Sequence, residues 1–392
     1  MRKITADWLY PISSEPIENG VIIVDNQGKI LKIDSRDNHD TASLEHYKGV
    51  LVPCFINTHC HLELSHMKGK VATGTTLIPF IKGVVTQRDA EAEVIADAIE
   101  RAEKEMIEGG IVAVGDISNV TDTFAQKAKG NLRYYTFVEM FDFLQENDAD
   151  KEFEKYKAVY DVLPLAKGSR KSVVPHAPYS VSRHLFKKIN DLNANEGITV
   201  SIHNQETQAE QDMFLYGHGG FYDFYDKFGI TLDKSKPSGK TSIHYALENL
   251  PPSVKTLFVH NTLTSKADIG AAQMWSENVY WATCPNANLY IENRLPNYQH
   301  FIDDHVRMTI GTDSLTSNWQ LSILEEMKTI QRFQSYVPFN ILIRWATLNG
   351  AQALGFDDTL GSFDMGKTPG INLLDLENDF ILRGDTSVKK LV

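Results

Sequence analysis

Eight short runs of β-branched and aromatic residues alternate with segments of helical periodicity through the middle of this chain. The runs lie at residues 51–57, 111–116, 133–138, 172–175, 198–202, 256–259, 279–283 and 307–311. After the first run, apolar residues recur at helical spacing over 92–107, and Gly109-Gly110 ends that pattern. Strands that alternate with helices form parallel sheets, and eight such strands close a barrel. The pattern therefore predicts an α/β fold, a (β/α)8 TIM barrel.

The structural alternative is an open, doubly wound parallel sheet. Such a sheet ordinarily carries a glycine-rich phosphate turn after an early strand, and this sequence contains no G-x-G-x-x-G. Both ends of the chain look different from its middle, because residues 20–24, 29–33 and 370–375 read as short strands with turns between them. We expect the two ends to pair as one small β unit over 1–50 and 365–392, beside a barrel over 51–364.

Charge and cysteine usage exclude several kinds of partner. The formal net charge of −12 argues against nucleic acid and against an anionic membrane, since both require a basic patch. Three scattered cysteines are too few for a disulfide framework, which indicates a reducing compartment. No apolar run approaches 18 residues, and the first 11 residues lack the apolar core of a signal peptide. We expect a soluble cytoplasmic protein whose partner is a small molecule.

Polar side chains follow the ends of five of the predicted strands. They are His59, His61, His176, His203, Glu206, His260 and Asp313. In a parallel barrel the carboxyl ends of all strands meet at one face, where the connecting loops build the active site. Most of the other eight histidines lie in polar stretches and are expected to be ordinary surface residues. The sequence therefore predicts that the seven side chains converge.

The histidines of this set fit one divalent metal ion. His59 and His61 are two apart on an extended segment, so both rings point to the same side, although a lone pair of this kind is more often a surface or core feature. His203 adds a third nitrogen and Asp313 an oxygen, which leaves an open position for water, as in catalytic zinc sites. Zinc is the expected metal, and Fe²⁺ and Mn²⁺ are alternatives because imidazole and carboxylate accept all three.

Such a metal lowers the pKa of its water and supplies a hydroxide nucleophile, which still requires proton carriers. Glu206 is placed to move protons to the leaving group. His260 is expected to orient the nucleophile or to stabilise the oxyanion, and Asp313 both to ligate and to accept the proton of the water. We interpret His176 as a substrate-binding residue. Asn286 and Asn288 either face the pocket or belong to a turn.

Six segments together resemble the amidohydrolase superfamily. They are LVPCFINTHCHLELS, PHAPYSVS, SIHNQE, FVHNT, CPNAN and GTDSLTSN, which span residues 51–318. The H-A-P-Y-S and H-N-x-E-T pieces resemble its deaminase and chlorohydrolase branch, which includes S-adenosylhomocysteine and guanine deaminases and triazine hydrolases. Within that branch, NTHCHLELS with GKVATGTTLIPFIKGVVTQRD is most similar to aminofutalosine deaminase-like hydrolases.

The resemblance implies a small β-sandwich formed by the two termini beside the barrel. It matches His59, His61, His203 and Asp313 to metal ligands, Glu206, His260 and Asp313 to the catalytic set, and His176 to a substrate-binding histidine. Dinuclear members carry a lysine at the end of strand four, and this chain lacks it there, so one metal ion is expected. Deaminases of the S-adenosylhomocysteine type also have a substrate-binding glutamate after the H-x-H loop, for which Glu63 and Glu91 are alternatives.

The expected activity is hydrolysis of a C–N bond other than a peptide bond. The leading hypothesis is hydrolytic deamination of an adenine-like base or nucleoside derivative, with Glu206 protonating the ring nitrogen beside the attacked carbon. A cyclic amide or a halogenated heterocycle is the alternative substrate for the same site. A metal-binding scaffold without catalysis is the alternative of another class. A homodimer, common among relatives, is the default assembly.

Overall fold

The computed structural model describes residues 1–194, 197–232 and 238–392. Its strands are β1 Arg2–Thr5, β2 Trp8–Leu9, β3 Ile17–Glu18, β4 Gly20–Val24, β5 Ile30–Ser35, β6 Glu45–His46, β7 Val50–Pro53, β8 Phe55–Cys60, β9 Ile111–Ser118, β10 Arg133–Met140, β11 Arg170–Pro175, β12 Thr199–Asn204, β13 Lys255–His260, β14 Val279–Thr283, β15 Met308–Ile310, β16 Ile371–Leu374 and β17 Val388–Lys390.

The α-helices are α1 Leu77–Gln87, α2 Ala92–Glu108, α3 Phe124–Ala128, α4 Ala149–Val162, α5 Arg183–Leu192, α6 Gln208–Tyr216, α7 Gly220–Lys227, α8 Ser242–Asn249, α9 Lys266–Trp275, α10 Pro285–Glu292, α11 Tyr298–Asp303, α12 Ile323–Phe333, α13 Phe339–Ala346 and α14 Leu348–Ala353. Three 3-10 helices span Arg36–Asn38, Thr41–Ser43 and Leu62–Met67. Among the helices of the described ranges, none has the length and apolar character that a membrane crossing requires.

The eight central strands form two parallel sheets of four strands each, in the orders β8-β9-β10-β11 and β12-β13-β14-β15. Backbone contacts join the two sheets at both edges. The amide of His203 donates to the carbonyl of His176 at 2.9 Å, and the amides of Thr312 and Asp313 both donate to the carbonyl of His59 at 3.0 Å. The α/β fold with parallel strands, alternating with helices, is therefore confirmed, and the strand ends that carry the predicted site residues lie side by side.

Both chain termini contribute to one further sheet, in the order β17-β16-β7-β2-β3, and β5-β4-β1-β6 forms another. β16 runs antiparallel to β7, so the end of the chain pairs with a segment that directly precedes the first central strand. The predicted strand over 51–57 was wrong in one respect, because it is two strands that belong to different sheets. Every residue of both strands is buried, and no turn residue separates them, so periodicity alone does not divide them.

The central strands are buried along nearly their whole length because helices cover them. Their largest buried side chains include Phe55, Phe137, Phe258 and Trp281. Glycine is required where β9 approaches β8, since a Cβ at Gly115 would lie 2.5 Å from the carbonyl oxygen of Thr58. This close approach brings the end of β9 against the segment that carries His59.

Candidate active site

Five histidines from four separate strand ends meet at the carboxyl end of the central strands. The ring centre of His59 lies 4.9 Å from those of both His61 and His203. The ring of His203 lies 5.4 Å from that of His260 and 4.9 Å from that of His176. The predicted convergence is therefore present in the geometry. Three of the five side chains are buried and the other two are half-buried, so the cluster lies below the surface.

Three of these rings present nitrogen atoms to one another. His59 Nε2 and His61 Nε2 are 3.2 Å apart, and donor atoms of His59, His61 and His203 all lie within 4.8 Å of one another. Asp313 Oδ1 lies 3.7 Å from His61 Nε2. The buried Nδ1 of His59 has no hydrogen-bond partner within the described parts of the chain, so this ring has unused donor or acceptor capacity. Three nitrogens and one carboxylate oxygen are donor types that occur together in catalytic divalent metal sites, so this group could hold a metal ion.

Burial lowers the pKa of all five rings, and the neighbouring imidazoles lower it further for His59 and His203. For His176 the pKa falls to about 3, mainly by burial. Metal ligation requires neutral imidazole. The electrostatics of the cluster therefore keep the rings in the form that binds a cation.

A β-bulge places the first two histidines. In the pairing of β8 with β9, Asn57 lies opposite Val114 while Cys60 lies opposite Asp116, so one extra residue sits on β8 at Thr58-His59. Bulges re-aim side chains and concentrate near active sites. Here the strand ends at Cys60, and the chain turns into the Leu62–Met67 3-10 helix directly after His61.

Residues at or after the ends of β12, β13 and β15 have left-handed backbone conformations. The φ angles are 47° at Gln205, 70° at His260, 57° at Asn261 and 57° at Asp313. Non-glycine residues hold this conformation only where the surroundings enforce it, and such positions cluster at functional sites. The carboxylate of Asp313 is held by the amide of Ser314 at 2.7 Å and by the hydroxyl of Ser317 at 2.8 Å.

Two of the rings are oriented through their Nδ1 atoms. His203 Nδ1 donates to the carbonyl of His176 at 2.9 Å, and Glu139 Oε1 lies 3.3 Å from the same nitrogen. His260 Nδ1 donates to Asn288 Oδ1 at 2.9 Å. In both rings Nε2 is left to face the site. Hydrogen bonds of this kind fix the tautomer and direction of an imidazole that acts through its other nitrogen.

Glu206 lies beside His260, with Oε1 3.8 Å from its Nε2. Burial, and next the charge of Asp313, raise the pKa of Glu206 well above its ordinary value. A pKa shifted in this direction favours the protonated form of the carboxyl group, which is the form that a general acid needs. The amide of Glu206 donates to Glu210 at 3.0 Å, which fixes the backbone where β12 leaves the sheet.

A cavity of about 310 Å³ opens above the cluster. We call its polar base the floor, and the floor consists of His61, His176, His203, Glu206, His260 and Asp313. We call its aromatic side the wall, and the wall consists of Phe80, Phe141, Phe143, Tyr179, Phe221, Phe224, Tyr225 and Phe228. His59 is fully buried beneath the floor. All seven residues predicted for the site are therefore brought together, six at the cavity and one directly below it.

Sequence reasoning missed Glu139 and left two other choices open. Glu139 lies near the end of β10, so the rule that found the other strand-end residues would have found it too; burial raises its pKa to about 8. Its carboxylate, His176 and His203 form a second group of donor atoms within 4.8 Å. Of the alternatives Glu63 and Glu91, Glu63 is buried and lines the cavity, whereas Glu91 is exposed on the surface.

The two asparagines after β14 have different contacts. Asn288 contacts His260, as described above. Asn286 instead donates to the buried Glu326 through its amide at 2.8 Å and its side chain at 3.0 Å. Both residues lie in α10, so the alternative of a turn is wrong; Asn288 belongs to the site, and Asn286 supports the first turn of the helix.

Comparison with known proteins places this geometry among hydrolases. The sequence pattern of the amidohydrolase family matches residues 50–392. The aminodeoxyfutalosine deaminase of a Nitratiruptor species is 27% identical over 377 residues, covering 89% of this chain and 85% of that protein.

Two solved structures share the fold. Helicobacter pylori aminofutalosine deaminase in complex with methylthio-coformycin superposes with a TM-score of 0.83 at 22% identity, covering 100% of both chains. Atrazine chlorohydrolase TrzN from Arthrobacter aurescens TC1, complexed with zinc, superposes with a TM-score of 0.76 at 16% identity, covering 99% of this chain and 92% of that chain. The resemblance predicted from the six sequence segments is confirmed.

Proposed function

Since this chain belongs to the amidohydrolase family, we propose that it is a metal-dependent hydrolytic deaminase of an aromatic amino-heterocycle, an adenine-like base or a nucleoside derivative of one. The observation that carries the proposal is the placement of Glu206 beside His260, at the edge of a cluster of imidazoles; burial raises the pKa of this carboxyl group and lowers the pKa of the rings. A hydrolytic deaminase requires both a proton donor and a cation site on one side of a flat substrate.

The fold proposed with this function has two parts. The two parallel sheets close into a (β/α)8 barrel over 51–364, which is supported by the parallel bridge between Cys60 and Asp313 at the edge where the first and last strands meet. The two terminal sheets form a β-sandwich over 1–50 and 365–392, supported by the pairing of β16 with β7.

His59, His61, His203 and Asp313 are the proposed ligands of one divalent metal ion. Zinc is the proposed metal, because three imidazole nitrogens and a carboxylate suit it and because a structural neighbour is complexed with zinc. When bound, the metal supplies the Lewis acidity that activates the attacking water.

We assign the proton transfers and the positioning of water and substrate to side chains of this chain. Glu206 donates its proton to the ring nitrogen beside the carbon that carries the amino group. Asp313 accepts a proton from the attacking water, and His260, held by Asn288, orients that water. Water adds at the carbon, and the proton taken up by Asp313 passes to the amino group, which leaves as ammonia. The proton of the added hydroxyl group returns to Glu206, so a carbonyl group replaces the amine. His176 lies at the cavity between Phe141 and Tyr179, where it contacts the substrate ring.

The aromatic wall of the cavity indicates which kind of substituent the heterocycle carries. Eight aromatic side chains contribute to it, and the rings of Tyr179 and Phe221 stack at 4.2 Å. Arg88 is the only lysine or arginine among the described residues that line the cavity. Such a surface favours an apolar substituent. We therefore propose an adenosine derivative with an apolar group in place of its 5′-hydroxyl, and the methylthio group of the ligand in the H. pylori deaminase structure supports this choice.

The test is release of ammonia by purified, zinc-loaded protein. The panel contains adenosine, 5′-deoxyadenosine, methylthioadenosine, aminofutalosine, guanine, an aminotriazine and a chlorotriazine. The expected result is ammonia from the adenosines, with the highest kcat/KM for those that have an apolar 5′ group. Chloride release without ammonia would replace deamination by dehalogenation at the same site. Less than one equivalent of metal, with no activity after zinc is added, would instead indicate a scaffold.

Two further expectations accompany this function as proposals. The homodimer is checked by the mass of the purified protein in solution, and the cytoplasm by fractionation of cells that express it.

A further inference from the structure

A buried ion pair lies next to the segment that carries His59 and His61. Lys127 Nζ of α3 is 2.5 Å from Asp116 Oδ2 of β9, and the two side chains are 3% and 0% exposed. Burial of two charges is costly and is retained only where the pair has further partners. Neither residue touches the cavity, and the mechanism above uses neither of them. Their presence therefore requires another explanation.

Lys127 is held firmly from several sides. Its ammonium group donates to Ser118 Oγ at 2.9 Å and lies 5.4 Å from the ring centre of Tyr134. The hydroxyl of Tyr134 donates in turn to Glu103 at 2.9 Å, and both of these side chains are buried. The cation is thus fixed in position, and it fixes the carboxylate of Asp116.

The second oxygen of Asp116 reaches the metal-ligand segment. Its Oδ1 accepts the backbone N–H of Leu62 at 2.8 Å, and Leu62 directly follows His61. Leu62 is fully buried, so its amide requires a partner. The sheet does not provide one, because β8 ends at Cys60 after its bulge and the 3-10 helix begins at Leu62. The carboxylate replaces the missing strand partner at this point.

We propose that Asp116 is a positioning residue that holds the peptide between His61 and Leu62, and through it aims the His61 imidazole at the metal position. Lys127 holds the carboxylate in place, and Asp116 supplies the acceptor. This inference rests on the proposed function only in taking His61 as a metal ligand. It adds Asp116, which is not at the cavity, as a residue that sets the affinity of the site for metal, and it assigns Lys127 to balancing the buried charge of that carboxylate.

Two double variants separate the positioning role from the cost of burying charge. Asp116→Asn with Lys127→Met removes both charges but keeps a side-chain oxygen for the Leu62 amide. Asp116→Leu with Lys127→Met removes the same charges and the acceptor. The measurements are the zinc dissociation constant by chelator competition, the visible spectrum of the cobalt-loaded protein, and the Tm of each protein without metal.

The Leu-containing variant is expected to bind zinc about 10–100-fold more weakly, with a shifted cobalt spectrum, as when other supports of metal ligands are removed. The Asn-containing variant should retain the affinity of the unmodified protein within about threefold. Equal affinities in the two variants, whatever their Tm values, would overturn the inference. If the Leu-containing variant does not fold, Asp116→Ala with Lys127→Met provides the same comparison.

Two controls complete the design. His61→Ala must weaken zinc binding more than either double variant; if it does not, the proposed metal site fails, independently of the ion pair. Lys187→Met with Asp191→Asn removes an ion pair whose side chains are 76% and 67% exposed, and this variant should bind zinc as the unmodified protein does.

Discussion

The floor and the wall of the cavity are built by opposite means. Floor residues come from the ends of separate strands, are tied by short polar contacts such as His260 to Asn288 at 2.9 Å, and include left-handed backbone at His260 and Asp313. Wall residues come largely from loops and α7. Most of their contacts with one another are between rings, as Phe224 and Phe228 make at 4.9 Å, and the hydroxyl of Tyr225 also donates to the carbonyl of Tyr179 at 2.7 Å. The floor therefore fixes atoms in place, whereas the wall supplies apolar surface. We expect changes in the floor to alter kcat and changes in the wall to alter KM and substrate choice.

The largest effect is expected from Glu206→Gln in the floor. The amide keeps the size of the side chain but has no acidic proton to transfer to the substrate, so kcat should fall by about 10²–10⁴-fold or more. Because Glu206 is not a proposed ligand, zinc content should stay at one equivalent, and KM should change little. Steady-state ammonia release and metal analysis check both points.

The matched control is Glu108→Gln on the surface, where the side chain is 66% exposed, and it should leave kcat unchanged. Near-normal turnover by Glu206→Gln would show that the proton comes from elsewhere, and the division between floor and wall would then lose its main support.

A smaller loss is expected from Asn288→Leu, which removes the acceptor of His260 Nδ1. The ring would then be free to rotate or change tautomer, and we expect kcat to fall by about 10–100-fold with little change in KM. Asn288→Asp keeps an oxygen at this position and should retain more activity than the leucine variant. Equal losses in the two variants would mean that the size of the side chain matters rather than its acceptor.

The contrast between floor and wall also explains how much of the fold and of the site could be predicted from the sequence. Floor residues are polar side chains that follow apolar strands, and this pattern located His59, His203 and Asp313 although many residues separate them. The alternation of strands and helices was predicted as well, because the central strands contain short runs of β-branched and aromatic residues and the segments between them have helical spacing. The pattern does not reveal the boundary between β7 and β8, because both strands are buried at every residue.

The wall was not predictable in this way. Aromatic residues on α7 have the spacing of any helix that buries one face, so nothing in the sequence distinguishes Phe224 at the cavity from Phe186 in the interior. The ion pair of Asp116 with Lys127 was hidden for a related reason. Charged residues are usually exposed, and only the three-dimensional structure shows that these two are buried.

In the wall, Phe224→Ala should lower kcat/KM for an adenosine with an apolar 5′ group by about tenfold, mostly through KM. Adenosine itself should be affected much less, because it has no apolar group to place there. Phe224 is only half-buried, so the variant should fold. A fall in kcat for both substrates alike would show that the wall also positions the reacting ring. The proposed division of roles between floor and wall would then be wrong.

The smallest effect is expected from Phe228→Ala at the outer end of the wall. The ring of Phe228 is 55% exposed, so its removal takes less apolar surface from a bound substituent than removal of the Phe224 ring does. Because the stabilisation scales with the area that leaves water, kcat/KM for the apolar-substituted adenosine should fall by no more than about twofold to threefold. Phe333→Ala, at a ring that is 60% exposed and outside the cavity, is the matched control and should show no change. The ratio of the Phe224 and Phe228 effects measures how far the substituent extends along the wall, and a larger loss at Phe228 would place it at the rim.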